Sequence, residues 1–359
     1  MQFLSNKKSF LSVLVAVAGI SLISASCNIF QSAGLNGVLK TIDGGQTWIA
    51  SNAGVNGSAS ISGLDVSDMA FDSVTSQTIY LSSIDAGLWQ SQDAGGSWRQ
   101  ILSKIIIYDF YVSPTDSKTI YAVGTYNGHG KIVRSEDGGV SWTELYNEAS
   151  NSNSVNTIAV NPINQNTLYA GLNDGTILQS IDGGINWEVV NTFADQILKL
   201  RYDHSNNLYA FLRTKGLQES IDGGKTWNSI VQPLATANFY NTDTYQQDQV
   251  SSYLKVATEA DAPGIFFVTT NRGLYKTLDN GKHWSFINLP LNNQTQRPRA
   301  IAIANNGMLV YTSVGSTIYR SIDGGNSWQS EETPAGNLIN KILIDPHNTS
   351  RIYAGLIKL

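Results

Sequence analysis

Seven aspartates, Asp43, Asp93, Asp137, Asp182, Asp222, Asp279 and Asp323, recur along the 359-residue chain, each inside the pattern Ser/Thr-x-Asp-x-Gly-x-x-Trp. Carboxylates build hydrolytic pairs and metal cages, so these residues are the first candidates for chemistry. Their number argues the other way. A site needs one constellation, not seven copies of one residue, and the aspartates therefore read as turn builders. Each carboxylate can accept backbone N–H bonds of its own turn, and the Ser or Thr hydroxyl can brace the same loop. Gly45, Gly95, Gly139, Gly184, Gly224, Gly281 and Gly325 hold the fifth position, as expected where the backbone needs φ above zero. The fourth position varies, with Ala94 and Asn280 standing in for Gly, which reads as a weaker demand. Trp48, Trp98, Trp142, Trp187, Trp227, Trp284 and Trp328 close the motifs, each supplying a large ring to pack on a neighbouring unit.

The remaining polar residues offer little enzyme chemistry. His129, His204, His283 and His347 are scattered without metal-ligand spacing. Cys27 is the single cysteine, so it forms no internal disulfide and makes a poor metal site. Neither metal nor cofactor is expected. Beyond the seven repeats, Asp72, Asp203 and Asp345 fall in turns that follow apolar runs. None of the other ten of the 20 aspartates is marked by sequence as half of a hydrolytic pair.

The elements that carry these residues are short strands. An apolar-alternating run precedes each motif, as in Ile177-Leu178-Gln179, and another follows each Trp, as in Glu188-Val189-Val190. Period-two runs about a Gly-containing turn read as a β-hairpin. A second hairpin lies upstream of most motifs, as in Ile158-Ala159-Val160-Asn161-Pro162 leading to Leu168-Tyr169-Ala170-Gly171. Two hairpins make four strands, the content of one propeller blade, and the aspartates are spaced 50, 44, 45, 40, 57 and 44 residues apart. The first motif lacks an upstream hairpin, and the last hairpin, Asn337 to Gly355, lacks a motif. Joined, they complete one blade and close the ring, which hides the open sheet edges. The expected fold is all-β: a seven-bladed β-propeller of four-stranded antiparallel blades, with one blade shared by the N- and C-terminal strands. It occupies 36–359, with no linker marking a second domain.

The seven motifs resemble the Asp-box, or BNR, repeat superfamily, which includes sialidases, xyloglucan-cleaving glycosidases, sortilin-like receptors and the photosystem II stability/assembly factor. The resemblance covers nearly all of the chain after its N-terminal segment. It implies that the box turn joins the third and fourth strands of a blade, on the face opposite a ligand-binding mouth. It does not choose between enzyme and scaffold. A sialidase-like member would need an arginine cluster for its substrate carboxylate. Here the first arginine is Arg99, and only nine exist, with Arg134 and Arg320 beside boxes. A glycosidase with paired carboxylates needs no local motif and stays open as the alternative to a non-catalytic binding or assembly scaffold.

On the mouth face, the longest inter-blade loop, 231–250, contains Tyr240, Asp243 and Tyr245, residue types suited to holding a peptide or sugar. A second loop places Arg297 and Arg299 near Arg272, a local positive cluster for an anionic partner. Aligning the innermost strands brings Asp68, Asp109, Thr157, Lys199 and Lys341 to one equivalent position around the channel. That ring is either a ligand site or a set of mutual ion pairs.

The N-terminus reads as a targeting segment. Lys7 and Lys8 precede an uncharged run from Phe10 to Ile23, too short to span a bilayer comfortably, and Ser24-Ala25-Ser26 leads into Cys27. Residues 1–26 are the expected signal peptide, and 27–35 a short tether. The Cys27 context resembles the lipobox of bacterial lipoproteins, with Ser24 where that family usually carries Leu. Acylation at Cys27 would anchor the chain to a membrane, while ordinary cleavage near Ser26 would release it. Both put the protein outside the cytoplasm, as an envelope lipoprotein or as a periplasmic or secreted chain. A net charge of −5 gives no basic footprint for nucleic acid. The expected partner is a protein or glycan, and the expected state a monomer.

Overall fold

The computed structural model describes residues 36–203, 205–230, 239–240, 247–248, 253–258, 264–270, 272–291 and 297–358. The signal segment, Cys27, the tether, His204, Asp243 and Tyr245 lie outside the described residues. Seven four-stranded antiparallel sheets follow one another as meanders. Blade 3 is representative, with strands Val155–Val160, Leu168–Leu172, Thr176–Ser180 and Glu188–Thr192 in that order from the axis outward. The innermost strands of blades 1 to 7 are Val66–Phe71, Ile106–Val112, Val155–Val160, Ile197–Tyr202, Tyr253–Thr258, Ile301–Ala304 and Leu338–Asp345. Blade 7 closes the ring: Gly37–Thr41 pairs antiparallel with Asn348–Ile357, with Lys40 opposite Tyr353. A two-stranded pair, Phe239–Tyr240 with Gln247–Asp248, stands between blades 4 and 5.

Strand alternation gives each sheet two apolar faces, and the blades bury them against one another. Among the described residues there are seven buried apolar clusters, one at each blade seam. Every box tryptophan joins the cluster between its own blade and the preceding one. Three also reach back with the indole N–H: Trp98 donates to Ser51 O at 2.7 Å, Trp142 to Ile101 O at 2.8 Å and Trp284 to Ile230 O at 3.4 Å. The seams are latched from the other side as well. Tyr353 of blade 7 donates its hydroxyl to Ala94 O of blade 1 at 2.8 Å, and Tyr169 of blade 3 to Gly223 O of blade 4 at 2.8 Å.

The box turn is built by side chain to backbone bonds. In blade 1 the Ser91 hydroxyl donates to Asp93 Oδ1 and accepts from Gly95 N, each at 2.8 Å. Asp93 in turn accepts from Ser97 N and the Ser97 hydroxyl at 2.8 and 2.7 Å. The structure corrects one reading of the sequence. The fourth box position also has φ above zero in every copy, including Ala94 at 55° and Asn280 at 57°. What differs is space. A Cβ at Gly138 would meet nothing within 4 Å, whereas one at Gly139 would lie 2.8 Å from Ile101 Cδ1 of the preceding blade. In blade 2 the fifth position is therefore held to Gly by conformation and contact together, whereas the fourth, which Ala94 and Asn280 fill in blades 1 and 5, is limited there by conformation alone.

Candidate functional site at the channel mouth

Antiparallel meanders put the starts of the innermost strands at the end of the channel opposite the box turns. Near that end, pairing with the second strand is interrupted by a register shift in six of the seven blades. The shifts fall at Val66/Asp68, Ile107/Asp109, Val155/Thr157, Ile197/Lys199, Tyr253/Lys255 and Ile339/Lys341. Such a bulge sets two residues against one and re-aims the next side chain. Five of the shifts end on the residue that the alignment assigned to the ring, and the sixth, in blade 5, ends on Lys255. Blade 6 carries the small Ala300 just before its inner strand.

The ring residues meet. Lys199 Nζ lies 2.5 Å from Asp109 Oδ1 and 3.5 Å from Asp68 Oδ2, and Lys341 Nζ lies 2.6 Å from Asp68 Oδ1. The Thr157 hydroxyl donates to Asp109 Oδ2 at 2.6 Å and accepts from Leu200 N at 3.0 Å, so one threonine ties blades 2, 3 and 4. The amides of Met69 and Phe110 donate to Asp68 and Asp109 at 2.9 and 2.8 Å. Burial alone would push Asp68 up. The charges of Lys341 and Lys199, the hydrogen bond from Lys341 and the more distant Arg201 overcome it and hold the carboxyl far below the usual carboxylate range.

A cavity of about 270 Å³ opens here, lined by Asp68, Lys199 and Lys341 together with Tyr108, Arg201 and Lys255. It meets a larger cavity of about 530 Å³ toward the box end, walled by apolar and aromatic residues such as Ile158, Leu200, Phe211 and Ile303. Arg201 and Lys341 line both. Sequence reasoning passed over three of these groups. Lys255 shares the ring register, but its strand lacks the Asn/Asp-Pro turn that marks others, such as Asn161-Pro162. Arg201 follows Lys199 by two residues and so projects on the same side of its strand. Tyr108 sits within the register shift of blade 2 and is exposed.

The other predicted mouth residues are placed less centrally. Arg299 is exposed and donates through Nε to Asn340 Oδ1 at 3.3 Å, and Asn340 lines the smaller cavity. Arg272 stands in the turn between Phe266–Thr270 and Gly273–Thr277, its amide bonded to Thr270 Oγ1 at 3.0 Å. Arg297 lies in the segment leading to the innermost strand of blade 6. The backbone of Tyr240 belongs to the short pair between blades 4 and 5. Among the described residues no three of His, Cys, Asp and Glu stand together as a metal cage. No described helix is long and apolar enough to cross a membrane.

Seven Asp-box blades closed on a shared terminal blade, with a charged ring at one end of the channel, define a BNR-like repeat propeller. Residues 115–337 match the DUF6242 beta propeller domain, and the chain belongs to that family. A xyloglucanase of Paenibacillus sp is 32% identical over 105 residues, which are 28% of this chain and 10% of that protein. The GH74 xyloglucanase from Xanthomonas campestris is similar in structure over 82% of this chain and 51% of its own, at 17% identity and a TM-score of 0.66. YCF48 bound to a D1 peptide is similar over 82% of this chain and 93% of its own, at 17% identity and a TM-score of 0.60. The chain thus spans a tenth of the curated relative and half of the xyloglucanase structure. The likenesses to solved structures, at 17% identity, establish the fold alone.

Proposed function

We propose that this chain is an exported, lipid-anchored propeller that acts as a non-catalytic binding or assembly scaffold, holding a protein or glycan partner on its mouth face. One observation carries the non-catalytic reading. The two acids in the ring are neutralised by Lys199 and Lys341. Glycoside hydrolysis needs one carboxyl that keeps its proton near neutral pH. Asp68 is driven in the opposite direction by its lysines. What the mouth offers instead is charge and an exposed tyrosine, the equipment of recognition.

The N-terminal lysines, the uncharged run and the Cys27 context support export and acylation. The YCF48 structure, with its bound D1 peptide, supports a peptide-holding role for a propeller of this size. The second reading, an extracytoplasmic glycoside hydrolase, draws on the 105 residues shared with the xyloglucanase. Incubation with xyloglucan and other plant and microbial glycans separates the two. The scaffold reading expects retention without new reducing ends. Reducing ends released by wild type and not by Asp68→Asn would establish the hydrolase.

A further inference from the structure

Four cations line the smaller cavity at the channel mouth, namely Lys199, Arg201, Lys255 and Lys341, with Asp68 in the same wall and Asp109 held by Lys199. Four less two leaves a surplus of two positive charges. The surplus is not spread evenly. Lys199 and Lys341 are engaged with the aspartates, while the side chains of Lys255 and Arg201 form no hydrogen bond or ion pair among the described residues. Both are exposed to the channel. We propose that Lys255 and Arg201, beside the neutralised ring, form an oxyanion site that takes a group carrying about two negative charges, presented end-on along the channel.

Three features support this. Like charges held within one small cavity repel, and an anion between them removes that repulsion and gains charge-assisted hydrogen bonds from an ammonium and a guanidinium. Burial and the neighbouring cations both disfavour a free ammonium here. Desolvation by the surrounding wall lowers the Lys255 pKa most, Asp68 raises it, and the charges of Lys341, Lys199 and Arg299 lower it by smaller amounts. Lys255 is open to solvent through the channel, yet it stands inside a ring of protein, so both wall and neighbours act on it. Finally, innermost strands form the wall, and the cavity opens along the axis. Such a shape admits the end of a chain or a small free anion rather than the middle of a polymer.

The inference rests on the binding reading and names its ligand chemistry. A dicarboxylate and a phosphate share that chemistry, and the two can be told apart. The full-length chain is titrated calorimetrically with succinate and, separately, with inorganic phosphate, at constant ionic strength. Saturable one-site binding of either is expected, weakened roughly tenfold or more by Lys255→Gln and by Arg201→Gln. Lys255→Arg should retain it, and Lys225→Gln, on an exposed box turn, should leave it unchanged. Succinate alone binding assigns the site to carboxylates, and phosphate alone assigns it to phosphates. Wild type that binds neither overturns the proposal, as does binding that survives Lys255→Gln/Arg201→Gln. A partner still retained by wild type in that case keeps the scaffold reading standing without this site.

Discussion

The Lys199 ammonium, on the innermost strand of blade 4, lies 2.5 Å from Asp109 Oδ1 of blade 2 and 3.5 Å from Asp68 Oδ2 of blade 1. One side chain therefore reaches across the channel and joins blades that are not neighbours in sequence or around the ring. Packing at the seams holds each blade to the next, and this contact adds a tie across the mouth. It also engages both carboxylates of the ring.

Removing that tie should be costly. The Asp109 side chain is only 2% exposed, so Lys199→Met leaves a buried carboxylate with its Thr157 and amide hydrogen bonds but no counter-charge. Breaking one partner of a buried pair typically costs about 3 kcal/mol. Urea unfolding is expected to show a loss of that size, and Lys199→Met/Asp109→Asn a smaller one. A loss below about 0.5 kcal/mol in the single variant would mean that the pair is solvated, as surface pairs are.

The two adjacent box glycines of blade 2 should respond differently to the same substitution. Gly138→Ala places an L-residue at φ 75° with open space around its Cβ, a cost of about 1 kcal/mol. Gly139→Ala adds a contact 2.8 Å from Ile101 and should cost about 3 kcal/mol or more. Equal losses in the two variants would refute the assignment of space to the fourth position and contact to the fifth.

The box carboxylates also set an acid limit. Asp137 is held at about 2 by hydrogen bonds, first from the Ser141 hydroxyl and then from the Ser141 amide. Asp43 is held at about 2 by the Thr41 and Thr47 hydroxyls, and Asp182, Asp222 and Asp279 sit at about 2 through similar turns. A folded-state pKa below the unfolded one stabilises the fold above the unfolded value and is lost as pH falls through the folded value. With an ordinary value of 3.8, the melting temperature should be insensitive to these groups above about pH 5 and fall as pH drops toward 2. Ser141→Ala should move the Asp137 carboxyl resonance to titrate at higher pH. An Asp137 titration unchanged by that variant would contradict the hydrogen-bond account.

The blades were legible because their turn chemistry is explicit: Asp, Gly and Trp at fixed offsets announce each outer hairpin, and seven copies count the blades. The ring position was legible in Asp68, Asp109, Thr157, Lys199 and Lys341 because apolar alternation and the following turn, opened by Asp72, Ser113, Asn161, Asp203 and Asp345, fix the register of those strands. Lys255 was not, because the sequence carries Glu259 where the other strands carry Asp, Asn or Ser. The bulges that aim the ring side chains were not legible either, since an extra residue in one strand is invisible until its partner is known. The αL state of Ala94 was hidden for a related reason. Residue type reports what a position tolerates, and an open site tolerates Ala at a modest cost.

The central claim is that the mouth face holds a partner. The most direct test is affinity capture from solubilised envelopes with three full-length proteins: wild type, Arg201→Glu/Lys255→Glu and the box-face variant Lys225→Glu. The account predicts a partner retained by wild type and by Lys225→Glu and lost from the mouth variant, with all three melting cooperatively. A partner retained equally by the mouth variant, or lost only from Lys225→Glu, would contradict it.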